Sequence, residues 1–288
     1  MRVSGFTFIR NAIEFDYPIV EAIRSIEPLC DEIIVAVGNS EDETLALIRD
    51  LGIGKIKILE TTWDDSLREG GRVLAVETDK AKAAISLDSD WAVYIQGDEV
   101  MHENGHEAIK KAMLQWKDDV GVEGLVFNYR HFYGSYDYVA DSANWYKKEV
   151  RVIKNDPKIY SFRDAQGFQK NGRPLRVKAV DAHIHHYGWV KDPLAQQKKQ
   201  RTFNKMWHDD AWVDKHVENA DEFDYSGVSR LVRFGGQHPK VMQPRIERMN
   251  WSFSRDLSLN KSGVKEIIKR FASDKLGWEL GYKNYKII

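Results

Sequence analysis

The sequence predicts an α/β protein built on a mostly parallel sheet. Short β-branched runs alternate with amphipathic helical stretches through the first hundred residues. Those runs end in polar or glycine-containing turns, the edge at which open α/β sheets bind ligands. An apolar fraction of 42% over 288 residues is enough for one large core.

The elements follow in order. Val3-Ser4-Gly5-Phe6-Thr7-Phe8-Ile9 reads as a first strand. Residues 17–27 repeat at helical spacing, with Ile19, Ala22, Ile23 and Ile26 on one face. Residues 32–37 form a β-branched second strand running into Gly38-Asn39-Ser40. Residues 41–51 read as a short helix closed by Gly52 as a C-cap. A third strand spans 55–59, and a long helix 70–87 turns Leu74, Ala81, Ala84 and Ile85 inward. The apolar run 91–95 is the fourth strand. This alternation predicts right-handed crossovers and a nucleotide-binding half over residues 1–100.

The second half changes character. A helix over 103–116 and a strand over 122–127 lead into an aromatic segment: Tyr129, His131, Phe132, Tyr133, Tyr136, Tyr138, Trp145 and Tyr146. Further strands are expected at 150–153 and 175–184. A helix follows Pro193 to about residue 208 and groups Phe203, Met206 and Trp207. No Pro/Gly/Ser linker interrupts the chain. The expected organisation is one domain over 1–210, with halves 1–100 and 101–210, and a helical extension over 211–288.

Composition narrows the function classes. A net charge of −1 gives no bulk electrostatic case for nucleic acid or an anionic membrane. The single cysteine, Cys30, excludes an intramolecular disulfide and a cysteine-based zinc site, and fits a reducing cytoplasm. No apolar run approaches the roughly 18 residues of a membrane span. Met1 to Arg10 reads as a strand rather than a secretory leader.

Three segments carry chemistry. Residues 91–95 run into Gln96-Gly97-Asp98-Glu99, which puts two hard oxygen donors where a strand leaves the core. Such donors suit a divalent cation bound with a phosphate-bearing substrate. Asp181-Ala182-His183-Ile184-His185-His186-Tyr187-Gly188-Trp189 sets His183 and His185 on one side of a strand and His186 on the other. Asp164 lies in Ser161-Phe162-Arg163-Asp164-Ala165-Gln166-Gly167-Phe168, which reads as a loop. Partial burial among aromatics there suits a general base, and a turn aspartate bonding its own backbone fits equally. The aromatic segment 129–146 offers flat faces and hydroxyls that sugars bind, or an ordinary core.

The order of these pieces resembles a GT-A fold glycosyltransferase of the family 2 type, from Val3 to about Trp207. The resemblance rests on residues 3–12 at the first strand, on Asn39-Ser40-Glu41-Asp42-Glu43-Thr44, on Tyr94-Ile95-Gln96-Gly97-Asp98-Glu99-Val100 and on His186-Tyr187-Gly188-Trp189-Val190. It implies a Rossmann-like nucleotide-binding sheet with helices on both faces, an acceptor-side α+β portion and C-terminal helices. It implies that Ile9, Arg10, Asn11, Gly38, Asn39, Asp42, Gln96 and Gly97 border a nucleotide-sugar donor. Asp98, with Glu99 near it and His186 on the same side, would hold Mg²⁺ or Mn²⁺ on the donor diphosphate. Asp164 stands where an inverting enzyme of this type keeps its base. The acceptor would be a glycan or lipid-linked hydroxyl of cell-surface polysaccharide synthesis. The sequence departs from the pattern in two places. Val37 and Gly38 occupy positions that often carry an Asp-Asp pair, leaving the donor base open, and the Asp-x-Asp motif is reduced to Gly97-Asp98-Glu99.

Smaller features have duller alternatives. Trp63, with Asp64 and Asp65, lines a donor pocket or anchors a polar loop. Asp79, beside Glu77, Thr78 and Lys80, contacts the donor or belongs to a solvated helix face. Lys198, Lys199 and Arg201 meet phosphates or solvent. The last 28 residues hold seven Lys/Arg and three Asp/Glu, a net of +4. Val264, Ile267, Ile268 and Phe271 form a stripe that packs on the domain or rests on the inner face of a membrane. Two functions compete with the transferase: a metallohydrolase built on His183, His185 and His186, and a nucleotide-sugar-binding protein without catalysis. The oligomeric state stays open.

Overall fold

The structure is a computed structural model that describes residues 1–67, 69–217, 220–260 and 283–288. Four parallel strands open it: β1 (Val3–Ile9), β2 (Glu32–Gly38), β3 (Ile56–Thr61) and β4 (Trp91–Tyr94), in the spatial order β3-β2-β1-β4. Every residue of β1, β2 and β4 is buried, as continuous apolar strands must be when helices cover both sheet faces. On one face lie α1 (Ile19–Ile26), α2 (Thr44–Arg49) and α4 (His106–Gln115); on the other lies α3 (Arg72–Ala83).

Local chemistry sets the boundaries. α1 turns Ile19, Ile23 and Ile26 fully inward, and burial of each such side chain is worth roughly 1.5–3 kcal/mol. Gly52 follows α2 with φ +66°, the left-handed C-terminal conformation that glycine adopts without strain. α3 is shorter than the expected 70–87. Gly70 and Gly71 have positive φ and precede α3 in a short 3-10 turn, and the Ser86 N–H is taken by Glu32 Oε1, 2.7 Å away.

The sheet then becomes mixed. β5 (Glu99–Met101) is followed by β6 (Gly124–Tyr133), β7 (Ser135–Ala140), β8 (Lys148–Lys154), β9 (Ile159–Phe162), β10 (Gly167–Lys170) and β11 (Arg173–Trp189). The order continues β4-β8-β6-β11-β10-β9, with β8 antiparallel to both neighbours. The strand expected over 122–127 therefore runs on through the aromatic segment and doubles back at Gly134, φ +73°. The loop expected around Asp164 is the turn of the β9–β10 hairpin, between Arg163 and Ala165 at φ 57° and 63°.

The segment after residue 210, expected as a helical extension, also holds strands among its described residues. α5 (Pro193–Lys205), α6 (Asp210–His216) and α7 (Gln243–Glu247) are present, but β12 (Leu231–Arg233) pairs with β7 and β13 (Tyr285–Ile287) pairs with β11. These segments satisfy backbone groups that β7 and β11 would otherwise leave open. The stripe of Val264, Ile267, Ile268 and Phe271 lies outside the described residues. No helix among the described residues is long and apolar enough to cross a membrane.

Candidate active site

A cleft of about 830 Å³ opens across the carboxyl ends of β1 and β4 and is closed by β11, α5 and the β9–β10 turn. It brings together Ile9, Arg10, Asn11, Trp63, Gln96, Gly97, Asp98, Asp164 and His186, which lie far apart in sequence.

Asp98 is tied to β11 through its carbonyl, which accepts the Tyr187 N–H at 2.8 Å. Its Oδ2 faces His186 Nε2 at 3.6 Å and Lys199 Nζ at 3.3 Å. Burial alone would raise its pKa, but Lys199, His186 and Lys191 outweigh burial and hold the carboxyl well below its ordinary range. Gly188 makes this approach possible. A Cβ there would lie 2.6 Å from both Asp98 Oδ2 and His186 Nε2.

A second histidine orients the first. His131 Nε2 lies 2.8 Å from the Tyr146 carbonyl, which only accepts, so that nitrogen carries the proton. Burial, with His186 adding to it, pushes the His131 pKa well down and keeps the ring neutral. His131 Nδ1 is then an acceptor, and His186 Nδ1, 3.2 Å away, donates to it. This bond fixes the His186 ring with its Nε2 turned to the space it shares with Asp98 Oδ2.

Lys199 comes from α5, whose start is fixed by Pro193 and by Asp192 accepting the Leu194 N–H at 2.9 Å. Its ammonium also donates to the Gly188 carbonyl at 3.0 Å. The solvated charge run expected here holds for its neighbours: Lys198 is exposed, and Arg201 is exposed and reaches the Ala220 carbonyl. Lys199 itself is 8% exposed. Gln196, three residues earlier on the same helix face, is buried as well, but that burial is a property of the fold and not of the sequence. His131 likewise carried no sequence signal.

Asp164 sits at the hairpin tip against Gly71, where a Cβ would approach its own Cβ to 2.9 Å. Burial raises its pKa, opposed by backbone N–H groups at Asp164 and Gln166 and by Arg163. Trp63 closes the far end. Phe8 packs on it at 5.8 Å, Arg10 lies 5.6 Å above the ring, and Asp65 pairs with Arg10 at 2.8 Å. Trp145, Tyr146 and Trp189 form an aromatic wall beyond His131.

Five expected contacts lie elsewhere. Glu99 is not beside the Asp98 oxygens. It is fully buried, binds Arg151 through both oxygens at 2.7 Å and accepts the Tyr129 hydroxyl at 2.9 Å. Asp98 belongs to the turn before β5 and Glu99 is the first residue of that strand, and a carboxylate so engaged has no capacity left for a metal. Asp79 accepts the Ser161 N–H at 2.7 Å and pins β9 to α3. Gly38, Asn39 and Asp42 do not line the cleft. Asn39 Oδ1 accepts the Trp63 N–H at 3.0 Å, and Asp42 accepts those of Ile13 and Glu14 at 2.9 and 2.8 Å. Gly38 leaves room for the indole.

The histidines of β11 do not converge. His185 is fully buried away from the cleft, 3.2 Å from the Tyr187 hydroxyl, and His183 does not line the cleft. Among the described residues no group of three or more His, Cys, Asp or Glu is placed to hold a metal, and His183, His185 and His186 do not form the cluster expected for a metallohydrolase. Asp98 and His186 still fit Mg²⁺ or Mn²⁺ as a pair. They supply a hard oxygen and an imidazole nitrogen around a cradle that a Cβ at Gly188 would fill, and substrate phosphates commonly complete such a shell.

No protein-family model matches the chain, and no curated protein does. Among solved structures it is similar to S. aureus TarS residues 1–349 in complex with UDP, at 12% identity and a TM-score of 0.40, over 77% of this chain and 68% of that one. It is also similar to glucosyl-3-phosphoglycerate synthase from Mycobacterium tuberculosis. The complex of that protein with Mn²⁺, UDP and phosphoglyceric acid gives 22% identity and a TM-score of 0.29, over 46% of this chain and 43% of that one. Its complex with Mn²⁺, UDP-glucose and glycerol 3-phosphate gives 23% and 0.29, over 46% and 44%.

Proposed function

We propose that the chain is a GT-A, family 2 type glycosyltransferase that moves a sugar from a nucleotide-sugar to a hydroxyl acceptor by a single inverting displacement. The observation that carries this reading is the meeting of Asp98, His186 and Asp164 in one cleft at the carboxyl ends of parallel strands. Ile9, Arg10, Asn11, Trp63, Gln96 and Gly97 form the donor walls. Asp164, made more basic by burial, takes the proton of the acceptor hydroxyl as its oxygen bonds to the anomeric carbon. The bond from that carbon to the diphosphate breaks, and the nucleoside diphosphate leaves on the side of Asp98. Asp98 Oδ2 and His186 Nε2 would hold Mg²⁺ or Mn²⁺, with His131 fixing the His186 ring. The ion supplies Lewis-acid neutralisation of the leaving diphosphate. Trp145, Tyr146 and Trp189 offer ring faces to the acceptor, which favours a glycan or the sugar of a lipid-linked precursor.

The test is thermal melting of the protein with UDP-, GDP-, CMP- and dTDP-sugars, each with and without Mn²⁺. A ligand that binds only the folded state raises the melting temperature by mass action. The expected result is stabilisation by one nucleotide that requires metal and disappears in Asp98→Ala. No stabilisation by any donor, with stabilisation by Zn²⁺ alone, overturns the reading. Asp164→Asn should bind the donor as before and lose turnover, which separates the transferase from a protein that only binds.

A further inference from the structure

Asp98 Oδ2 serves two partners of opposite demand. His186 Nε2, 3.6 Å away, makes it half of a metal site, while Lys199 Nζ, 3.3 Å away, already neutralises it. The three groups are wrapped round one residue. Gly188 gives its carbonyl to Lys199 at 3.0 Å, and its missing side chain leaves the space between Asp98 and His186. Lys199 is held there by burial and by the face of Tyr17, 5.0 Å from the ammonium.

We propose that Lys199 is the resident counter-ion of Asp98, excludes a divalent cation until a nucleotide arrives, and then transfers its ammonium to the diphosphate. This rests on the transferase reading and adds to it an order of binding and a diphosphate-contacting residue.

The charges decide the sign. With Lys199 in place its ammonium offsets Asp98, and Lys191 lies over the same Tyr17 ring, so a metal entering alone meets no net negative charge in a poorly solvated site. A diphosphate adds at least two negative charges and reverses the balance. The ammonium can follow, because lysine is a compact charge on a flexible four-carbon stem. Its carbonyl bond to Gly188 leaves two N–H groups for phosphate oxygens.

The experiment measures Mn²⁺ binding to the full chain by the electron paramagnetic resonance of free Mn²⁺, with and without UDP. Wild type should bind Mn²⁺ alone weakly and tighten sharply with UDP. Lys199→Met keeps the stem on Tyr17 and removes the charge. It should bind Mn²⁺ alone at least about tenfold more tightly and bind UDP with Mn²⁺ about tenfold more weakly. Lys199→Arg should restore the exclusion of metal, which a merely packing role would not require. Unchanged Mn²⁺ affinity in Lys199→Met overturns the proposal, even where Asp98→Ala abolishes Mn²⁺–UDP binding and so upholds the metal site. Wild type that binds no Mn²⁺ with UDP, and is unaffected by Asp98→Ala, overturns the metal site and this proposal together.

Discussion

His131 and His186 meet Nδ1 to Nδ1 at 3.2 Å, although 55 residues separate them. The Tyr146 carbonyl fixes the proton on the far side of His131, so the pair holds the His186 ring in one orientation in the cleft. His131 does not line up with Asp98 itself; it acts by holding the ring that does. Replacing it with phenylalanine keeps the volume and removes the acceptor. Outer partners of metal-binding histidines are commonly worth 10–100-fold in metal affinity. We expect His131→Phe to weaken Mn²⁺-dependent UDP binding in calorimetry by about that factor, with UDP binding in the absence of metal unchanged. An equal loss in both conditions would mean a packing defect instead.

Glu99 and Arg151 form the other charged centre, and it is structural. Both side chains are wholly buried, and Arg151 spans to the Gln166 carbonyl at 2.8 Å, under the Asp164 turn. Breaking a buried pair leaves one charge uncompensated, at a cost of about 3–5 kcal/mol. Glu99→Gln should lower unfolding free energy by that order in urea titration. Joint replacement, Glu99→Leu with Arg151→Met, should recover much of it. A loss below about 1 kcal/mol in the single variant would show that the pair is not as desolvated as its contacts indicate.

The buried ionisable groups give the fold opposing responses to pH. Burial pushes His131 and His185 well down and His238 to about 4. The folded state then resists protons that the unfolded chain takes up below about pH 6.5, so stability falls as pH drops through that range. Glu149 runs the other way. Burial raises it to about 7, against Arg151, the Val150 N–H and Asn284, so the folded state holds a proton that the unfolded chain loses near pH 4.5. Its contribution declines as pH rises from 4.5 to about 7. Glu149→Gln removes the ionisation and should stabilise the protein at pH 8 by on the order of 3 kcal/mol relative to wild type, with Asn284 turning its amide to match. The difference should shrink towards pH 4.5 in paired chemical denaturation curves. A gap that does not vary with pH would mean that Glu149 titrates normally.

The sequence was most legible where burial is two-sided. β1, β2 and β4 are continuous apolar runs because both of their faces are covered, and such runs leave few alternative readings. Asp98, Asp164 and His186 were legible as residue types at the ends and turns of strands. Glu99 was misplaced next to Asp98 by adjacency in sequence, although the turn ends between them and Arg151 draws the Glu99 carboxylate into the core. The β9–β10 hairpin was missed because its turn uses Arg163 and Ala165 at positive φ rather than the glycine or asparagine that usually announces one. His131, Tyr146 and Lys199 reach the site by tertiary contact alone. No spacing along the chain encodes a bond between β6 and β11, or between α5 and the end of β4.

Gly38 and Trp63 couple the end of β2 to the floor of the cleft. A Cβ on residue 38 would come within 2.3 Å of the indole Nε1 and 2.7 Å of Cδ1, both part of one rigid ring. The indole has little freedom to yield, since Phe8 packs on it and Asn39 Oδ1 holds the Trp63 backbone. Gly38→Ala should therefore push the indole into the cleft rather than unfold β2, whose φ values suit any residue. We expect nucleoside diphosphate affinity to fall by about tenfold, or roughly 1.4 kcal/mol, with a change of only about 1 kcal/mol in unfolding free energy. Trp63→Ala added to Gly38→Ala removes the clash and should bind no worse than Trp63→Ala alone. If Gly38→Ala binds UDP as wild type does, the indole does not define the donor end of the cleft.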